Sequence, residues 1–153
     1  MQSNLLFQYS QKIIVLSQDK KSVLLARRNG EADYNGIFSF IGGKMETTDE
    51  TIIGGIKREK AEEIGGEALI KILPNETYNL LFRKKDGSSM ILPHIAAIFQ
   101  GGDIVLSNEY SEYRWVPLKE LREFEPKIEN IPELVEWAVA KLSTAKDSHL
   151  IEI

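Results

Sequence analysis

Short runs of aliphatic and β-branched residues alternate with polar, glycine-bearing segments along the chain, and this rhythm predicts strands joined by turns. Lys12 to Leu16 and Ser22 to Arg28, linked by the polar Gln18-Asp19-Lys20-Lys21, read as a β-hairpin. Asn29 to Gly36 is polar and reads as a loop, and Ile37 to Ile41 forms a further strand that Gly42-Gly43 ends. From Thr47 the period changes. Thr47, Thr48 and Asp49 are helix-capping types, Ile52, Ile53, Ile56 and Ile64 recur at helical spacing, and Gly65-Gly66 stops a helix of about four turns.

Ala68 to Leu73, Thr77 to Arg83 and Met90 to Phe99 read as strands, the last two joined by a turn at Lys85-Asp86-Gly87. Tyr113 to Val116 is another strand, and Pro117 to Leu121 begins a short helix. Asn130 is placed to cap a final helix whose positions Ile131, Leu134, Val135, Ala138, Val139 and Leu142 make one apolar face. A loose tail is expected after Ser143. Hairpins mixed with helical connections predict a mixed sheet with helices packed on it, an α/β or α+β domain. With 153 residues and no repeat or linker, one domain over residues 1–153 is expected.

Composition narrows the function. At 42% hydrophobic residues and this length the chain can bury a core without staples. Cysteine is absent, which excludes disulfide frameworks, thiol nucleophiles and cysteine-ligated metals. Nineteen basic against twenty-three acidic residues give a net charge of −4 and argue against a nucleic-acid-binding surface. No apolar run approaches the roughly 20 residues of a membrane span, and the first residues lack a secretory pattern, so a cytoplasmic protein without membrane contact is expected. An acidic chain that handles phosphates needs cations.

The stretch that carries chemistry is Gly42 to Gly66, GGKMETTDETIIGGIKREKAEEIGG. Glu59, Glu62 and Glu63 stand at i, i+3 and i+4, which puts three carboxylates on one helical arc. Taken alone such a cluster reads as a solvated face in which Arg58 pairs with Glu62. Gly42-Gly43, placed between a strand and that helix, changes the balance, because a backbone without Cβ atoms can approach a ligand closely. Hard divalent cations take oxygen ligands of this kind and bridge them to substrate phosphates.

This segment resembles the signature box of the Nudix hydrolase family: Gly, five residues, Glu, seven residues, Arg-Glu, an aliphatic residue, any residue, Glu-Glu, any residue, Gly and an aliphatic residue. Gly43, Glu50, Arg58, Glu59, Glu62, Glu63 and Gly65 fill the fixed places. Six residues, not five, separate Gly43 from Glu50, which puts the extra residue in the Thr47-Thr48-Asp49 turn, and Lys60 and Gly66 stand where aliphatic residues are usual. Arg28, Gly36, Phe38 and Phe40 ahead of the box resemble the family's approach to its glycine pair, with Ile41 in place of a common proline. Glu109 and Glu112 ahead of Arg114-Trp115-Val116-Pro117-Leu118 resemble its acidic loop and tryptophan strand. The likeness covers about residues 12 to 142.

The resemblance implies a mixed β-sheet sandwiched between helices. It implies hydrolysis of a nucleoside diphosphate linked to another group, by water attacking phosphorus, with Mg²⁺ or Mn²⁺ as cofactor. Glu59, Glu62 and Glu63, with the Gly43 carbonyl, are then the metal ligands. Glu62 also joins Glu109 and Glu112 in the catalytic set, with Glu109 preferred as base. Arg28, Gly42 and Gly43 bind substrate, and Glu50 pairs with Arg58 to pin loop to helix. Arg27 points away to the surface.

Phe38, Phe40, Tyr78 and Phe82 read as core rather than as base-stacking residues, His94 as structural, and Trp115 and Trp137 as core anchors. Triphosphates, modified nucleotides and nucleotide sugars all remain open as substrates, since Phe82 stands where a proline or tyrosine marks two subfamilies and the NADH-pyrophosphatase signature is absent. The alternative is a Nudix-like module that senses a nucleotide without cleaving it. An allylic-diphosphate isomerase lacks its cysteine here. For assembly, a homodimer is an option.

Overall fold

A computed structural model describes residues 6–153. Its centre is a parallel pair, β1 (Phe7–Leu16) and β7 (Ser89–Gly101), in register from Phe7↔Ser89 to Leu16↔Ile98. Both strands change their other partner along their length. The middle of β1, Ser10 to Ile13, pairs antiparallel with β4 (Ile41–Lys44), and its end pairs with β2 (Ser22–Arg28) across the expected hairpin. The first half of β7 pairs with β6 (Tyr78–Arg83) and its second half with β5 (Leu69–Ile72). β2 also carries β3 (Phe38–Ser39) and β8 (Tyr110–Pro117). These divergences open the sheet into a cavity beside the centre.

Alternation along β1 divides the core in two. Ile14 and Leu16 join Val23, Leu25, Phe38 and Phe40 under α2 (Ile131–Thr144), where Leu134, Val135, Ala138 and Leu142 are buried. Ile13 and Val15 join Leu24, Ile41 and Ile70 under α1 (Ile52–Ile64), which contributes Ile56 and Ile64. The sheet is thus mixed and sandwiched between two helices, as the resemblance implies.

Several local expectations need correction. The cap of α1 is Thr51, whose Oγ1 accepts the Gly54 N–H at 2.9 Å, so Thr47 to Asp49 stay outside the helix, and Ile52 and Ile53 are exposed. Asn130 makes no side-chain cap, and Pro132 opens the first turn of α2. β1 begins at Phe7 because Phe7, Gln8 and Tyr9 are in register with Ser89, Met90 and Ile91 of β7, a pairing that needs no apolar pattern. The tail after Ser143 is not loose. Its end forms β9 (Ile151–Glu152) on the edge of β5, and Ile153 exchanges both backbone hydrogen bonds with Ile70 while burying its side chain.

Lys60, which stands where an aliphatic residue is usual, is buried and donates from Nζ to the carbonyls of Ala68 at 3.0 Å and Gly65 at 3.4 Å. Its ammonium satisfies carbonyls just beyond the end of α1 that an aliphatic residue would leave unpaired.

His94, expected to be structural, is buried and bonded to the backbone, and it also lines the cavity beside the centre. Its Nδ1 lies 3.1 Å from the Tyr78 carbonyl and 3.0 Å from that of Leu92, so Nδ1 carries the proton and donates to both. Burial lowers its pKa from 6.5 to about 4. An unfolded chain takes up this proton near 6.5 and the folded one resists it, so unfolding binds a proton between those values. Stability is therefore expected to fall as pH drops from 6.5 towards 4, by at most about 3 kcal/mol from this group. Denaturant titrations over that range should show the slope, and His94→Gln should flatten it.

Candidate active site

The glycine pair brings β4 against both its neighbours. Gly42 has φ +142°, and a Cβ on it would collide with the backbone carbonyl of Gln11 on β1. A Cβ on Gly43 would occupy the place of the Glu59 carboxylate. The close approach expected of these glycines is thus made by Gly42 to β1 and by Gly43 to α1, where Glu59 is only 6% exposed.

Arg58 organises the surrounding acids, with a partner other than the one expected. Its Nε and Nη2 donate to the two carboxylate oxygens of Asp49 at 2.8 and 2.7 Å, a bidentate pair. Nη2 also reaches the Lys44 carbonyl at 3.1 Å, and Nη1 reaches Glu59 at 2.8 Å and Glu62 at 3.2 Å. Glu50 is exposed and takes no part, so the expected Glu50–Arg58 pair is replaced by Asp49–Arg58. The physical reason is the turn: Asp49 also accepts the Glu46 N–H at 2.8 Å, which aims its carboxylate back at the helix. Arg58 beside Asp49 holds that carboxyl at about 2. Five residues separate Gly43 from Asp49, so the family spacing is kept on this side and the extra residue falls between Asp49 and Arg58. That count was the signal that sequence reading missed.

One turn beyond Glu59, Glu63 is 3% exposed. Burial raises its pKa first, and the neighbouring Glu109 carboxyl raises it further through direct contact and charge, with the Tyr110 hydroxyl opposing. Ser107 Oγ donates to Glu63 at 3.4 Å. Burial likewise raises the pKa of Glu59, against the stabilising Arg58. Glu62 is the exposed member.

These groups line one side of a cavity of about 650 Å³, with Gly42 and Gly43 at its edge. Arg28 lines it too, its Nε donating to the Asp33 carbonyl at 3.1 Å and Nη2 lying 3.6 Å from Glu31. Arg27 instead donates to the Gly36 carbonyl. Of the two loop acids only Glu109 lines the cavity; Glu112 lies outside its lining and accepts from Arg114 Nε at 3.2 Å. Among the aromatics Phe40 and Phe82 line the cavity, Phe38 packs on Phe124 and Tyr78 on Trp137. Trp115 packs on Phe99. Lys12 also lines the cavity, a residue that its apolar run concealed.

Among the described residues no three acidic or histidine side chains are gathered tightly enough to enclose an ion as they stand, because Arg58 draws Glu59 and Glu62 towards itself. The donor set nevertheless suits a hard cation. Glu59 and Glu63 are buried carboxylates with raised pKa, Glu63 faces a second carboxylate, and the cradle at Gly43 has no Cβ to block it.

The family model of the NUDIX domain matches residues 7–138. Among solved structures, the MutT protein of Methanosarcina mazei Go1 superposes with a TM-score of 0.73 at 21% identity, covering 94% of this chain and 100% of that one. The NUDIX domain of Shewanella oneidensis NrtR, solved with ADP ribose, gives 0.69 at 20% identity over 93% and 90%. An Ap4A hydrolase of C. elegans gives 0.70 at 18% identity over 90% and 99%. No curated protein sequence matches the chain. Among the described residues no helix is long and apolar enough to cross a membrane. The box geometry and a family match over most of its length agree: the chain belongs to the Nudix hydrolase family, a pyrophosphohydrolase by class.

Proposed function

We propose that the protein hydrolyses the pyrophosphate linkage of a nucleoside diphosphate joined to another group, in a reaction that depends on Mg²⁺ or Mn²⁺. The observation that carries this reading is the burial of Glu59 against Gly43 and of Glu63 against Glu109 at the edge of one cavity. Carboxylates so placed are costly without a cation. Glu59, Glu62 and Glu63, with the Gly43 carbonyl, would hold the ion. When bound, it would neutralise charge on the pyrophosphate and on the leaving phosphate.

The chain's own residues do the rest. Glu109, beside Glu63, accepts the proton of the attacking water. Arg28 binds a phosphate oxygen. Asp49 fixes Arg58, which in turn orients Glu59 and Glu62. The nucleotide class is supported by the neighbours, one solved with ADP ribose and one an Ap4A hydrolase. A cytoplasmic location fits such substrates. The sensing alternative gains no support from the residues, since every carboxylate of the box is present.

A panel of triphosphates, modified nucleotides and nucleotide sugars, assayed with Mg²⁺ and with Mn²⁺ for release of phosphate, pyrophosphate and nucleoside monophosphate, is expected to show turnover of at least one member. Tight binding across the panel with no turnover would replace hydrolysis by sensing.

A further inference from the structure

Lys12 stands at the middle of β1, opposite Gly42 of β4 on one side and His94 of β7 on the other. Strand alternation puts it on the face of Ser10 and Ile14, and Ile14 is already core. Lys12 is therefore the last position on that face before the apolar interior, and its side chain lines the cavity. Among the described residues its ammonium has no hydrogen-bond partner and no carboxylate within 4 Å. Burial and the charge of Arg28 push its pKa down to about 8, while Glu63, Glu59 and Glu109 act in the opposite direction. It thus lies close enough to feel both Arg28 and the three carboxylates.

An unpartnered ammonium in such a place costs free energy that a methionine of similar length would not. The cavity lining therefore carries both signs, with Glu59, Glu63 and Glu109 among its acids and Lys12 and Arg28 among its cations. A group that satisfies both must carry several anionic oxygens and face cations on one side and N–H donors on the other. A pyrophosphate does this, with some oxygens on a divalent ion and others on side-chain nitrogens.

We infer that Lys12 is a binding residue for the pyrophosphate of the substrate, donating to a non-bridging oxygen in the cavity that Arg28 also lines. This rests on the hydrolase reading above and adds to it a contact made by a residue outside the signature box.

The test is Lys12→Met in the full chain, with Lys12→Gln as a second neutral variant should the first not fold. Imidodiphosphate, which carries no base or sugar, is titrated calorimetrically in the presence of Mn²⁺, and Mn²⁺ is titrated alone. Loss of one charge-assisted hydrogen bond is expected to weaken imidodiphosphate binding about ten- to a hundredfold. Removing a positive charge near three carboxylates is expected to tighten Mn²⁺ binding, and removing a half-buried, unpaired ammonium to leave the thermal midpoint unchanged or raised. Opposite movements of the two affinities are not what general damage to the fold produces. Equal imidodiphosphate binding by variant and parent overturns the role of Lys12 and leaves the hydrolase reading standing, as would a loss confined to nucleosides, which would make Lys12 a reader of the base. Weaker Mn²⁺ binding in the variant also overturns it, since Lys12 would then support the carboxylates rather than oppose them. A parent protein that fails to bind imidodiphosphate with Mn²⁺ overturns both.

Discussion

Glu63→Gln is expected to lower kcat at least about a hundredfold while leaving the thermal midpoint unchanged or raised. The two halves have one cause. Glu63 is buried and faces the carboxyl of Glu109, so its negative charge is unfavourable in the folded protein. Glutamine keeps the shape, removes the charge and relieves that repulsion, yet removes a proposed ligand of the ion that would stabilise charge in the transition state. Glu59→Gln should cost a similar factor in rate. It should not raise the midpoint, because Glu59 also accepts from Arg58 at 2.8 Å. Steady-state kinetics beside thermal melts separate these effects; near-normal rates in both variants would reduce the carboxylates to a solvated face.

Asp49→Asn is expected to lower both the midpoint and the rate, whereas Glu50→Gln should change neither. Asp49 makes the bidentate pair that holds Arg58, and Arg58 in turn positions Glu59 and Glu62. Asparagine cannot accept at both oxygens, so the guanidinium loses its anchor and the acids shift. A displacement of about 1 Å at such a site is worth on the order of a hundredfold in rate. Melts should show the loss of stability at neutral pH, where the Asp49 carboxylate is fully charged, and the gap between parent and variant should close only as pH falls towards 2. Comparable losses from Glu50→Gln would restore Glu50 as the partner of Arg58.

Local signals in the sequence carried the hairpin, α1 and the box, because each rests on periodicity or on spacing within about 25 residues. What escaped was set by pairing at a distance. Phe7 to Tyr9 and the segment at Ile151 carry no decisive apolar pattern, and become strands because β7 and β5 offer them backbone partners. The choice between Asp49 and Glu50 depended on which side of the insertion the turn lies, which the Asp49 bond to the Glu46 N–H decides. The fit of Lys60 in an aliphatic place was hidden because the carbonyls it satisfies come from the chain beyond its helix.

Glu109 and Glu112 could not be separated by motif alone. The β2–β8 pairing puts Glu112 opposite Arg27 in the sheet, and Glu109 remains on the loop before it, at the cavity. Lys12 lay unnoticed inside a run read only for its isoleucines and valine, since an ammonium is conspicuous only once the cavity around it is formed.

The central claim is that the acidic edge of this cavity, loaded with a divalent ion, directs water at a nucleotide pyrophosphate. Its most direct test is turnover of the best panel substrate by the parent protein in ¹⁸O-labelled water, with Mg²⁺, after chelation, and after Mg²⁺ is restored. Chelation is expected to abolish turnover and added Mg²⁺ to recover it, with one label atom in a phosphate-bearing product. Turnover that survives chelation, or products in which the label is absent from every phosphate, would contradict it.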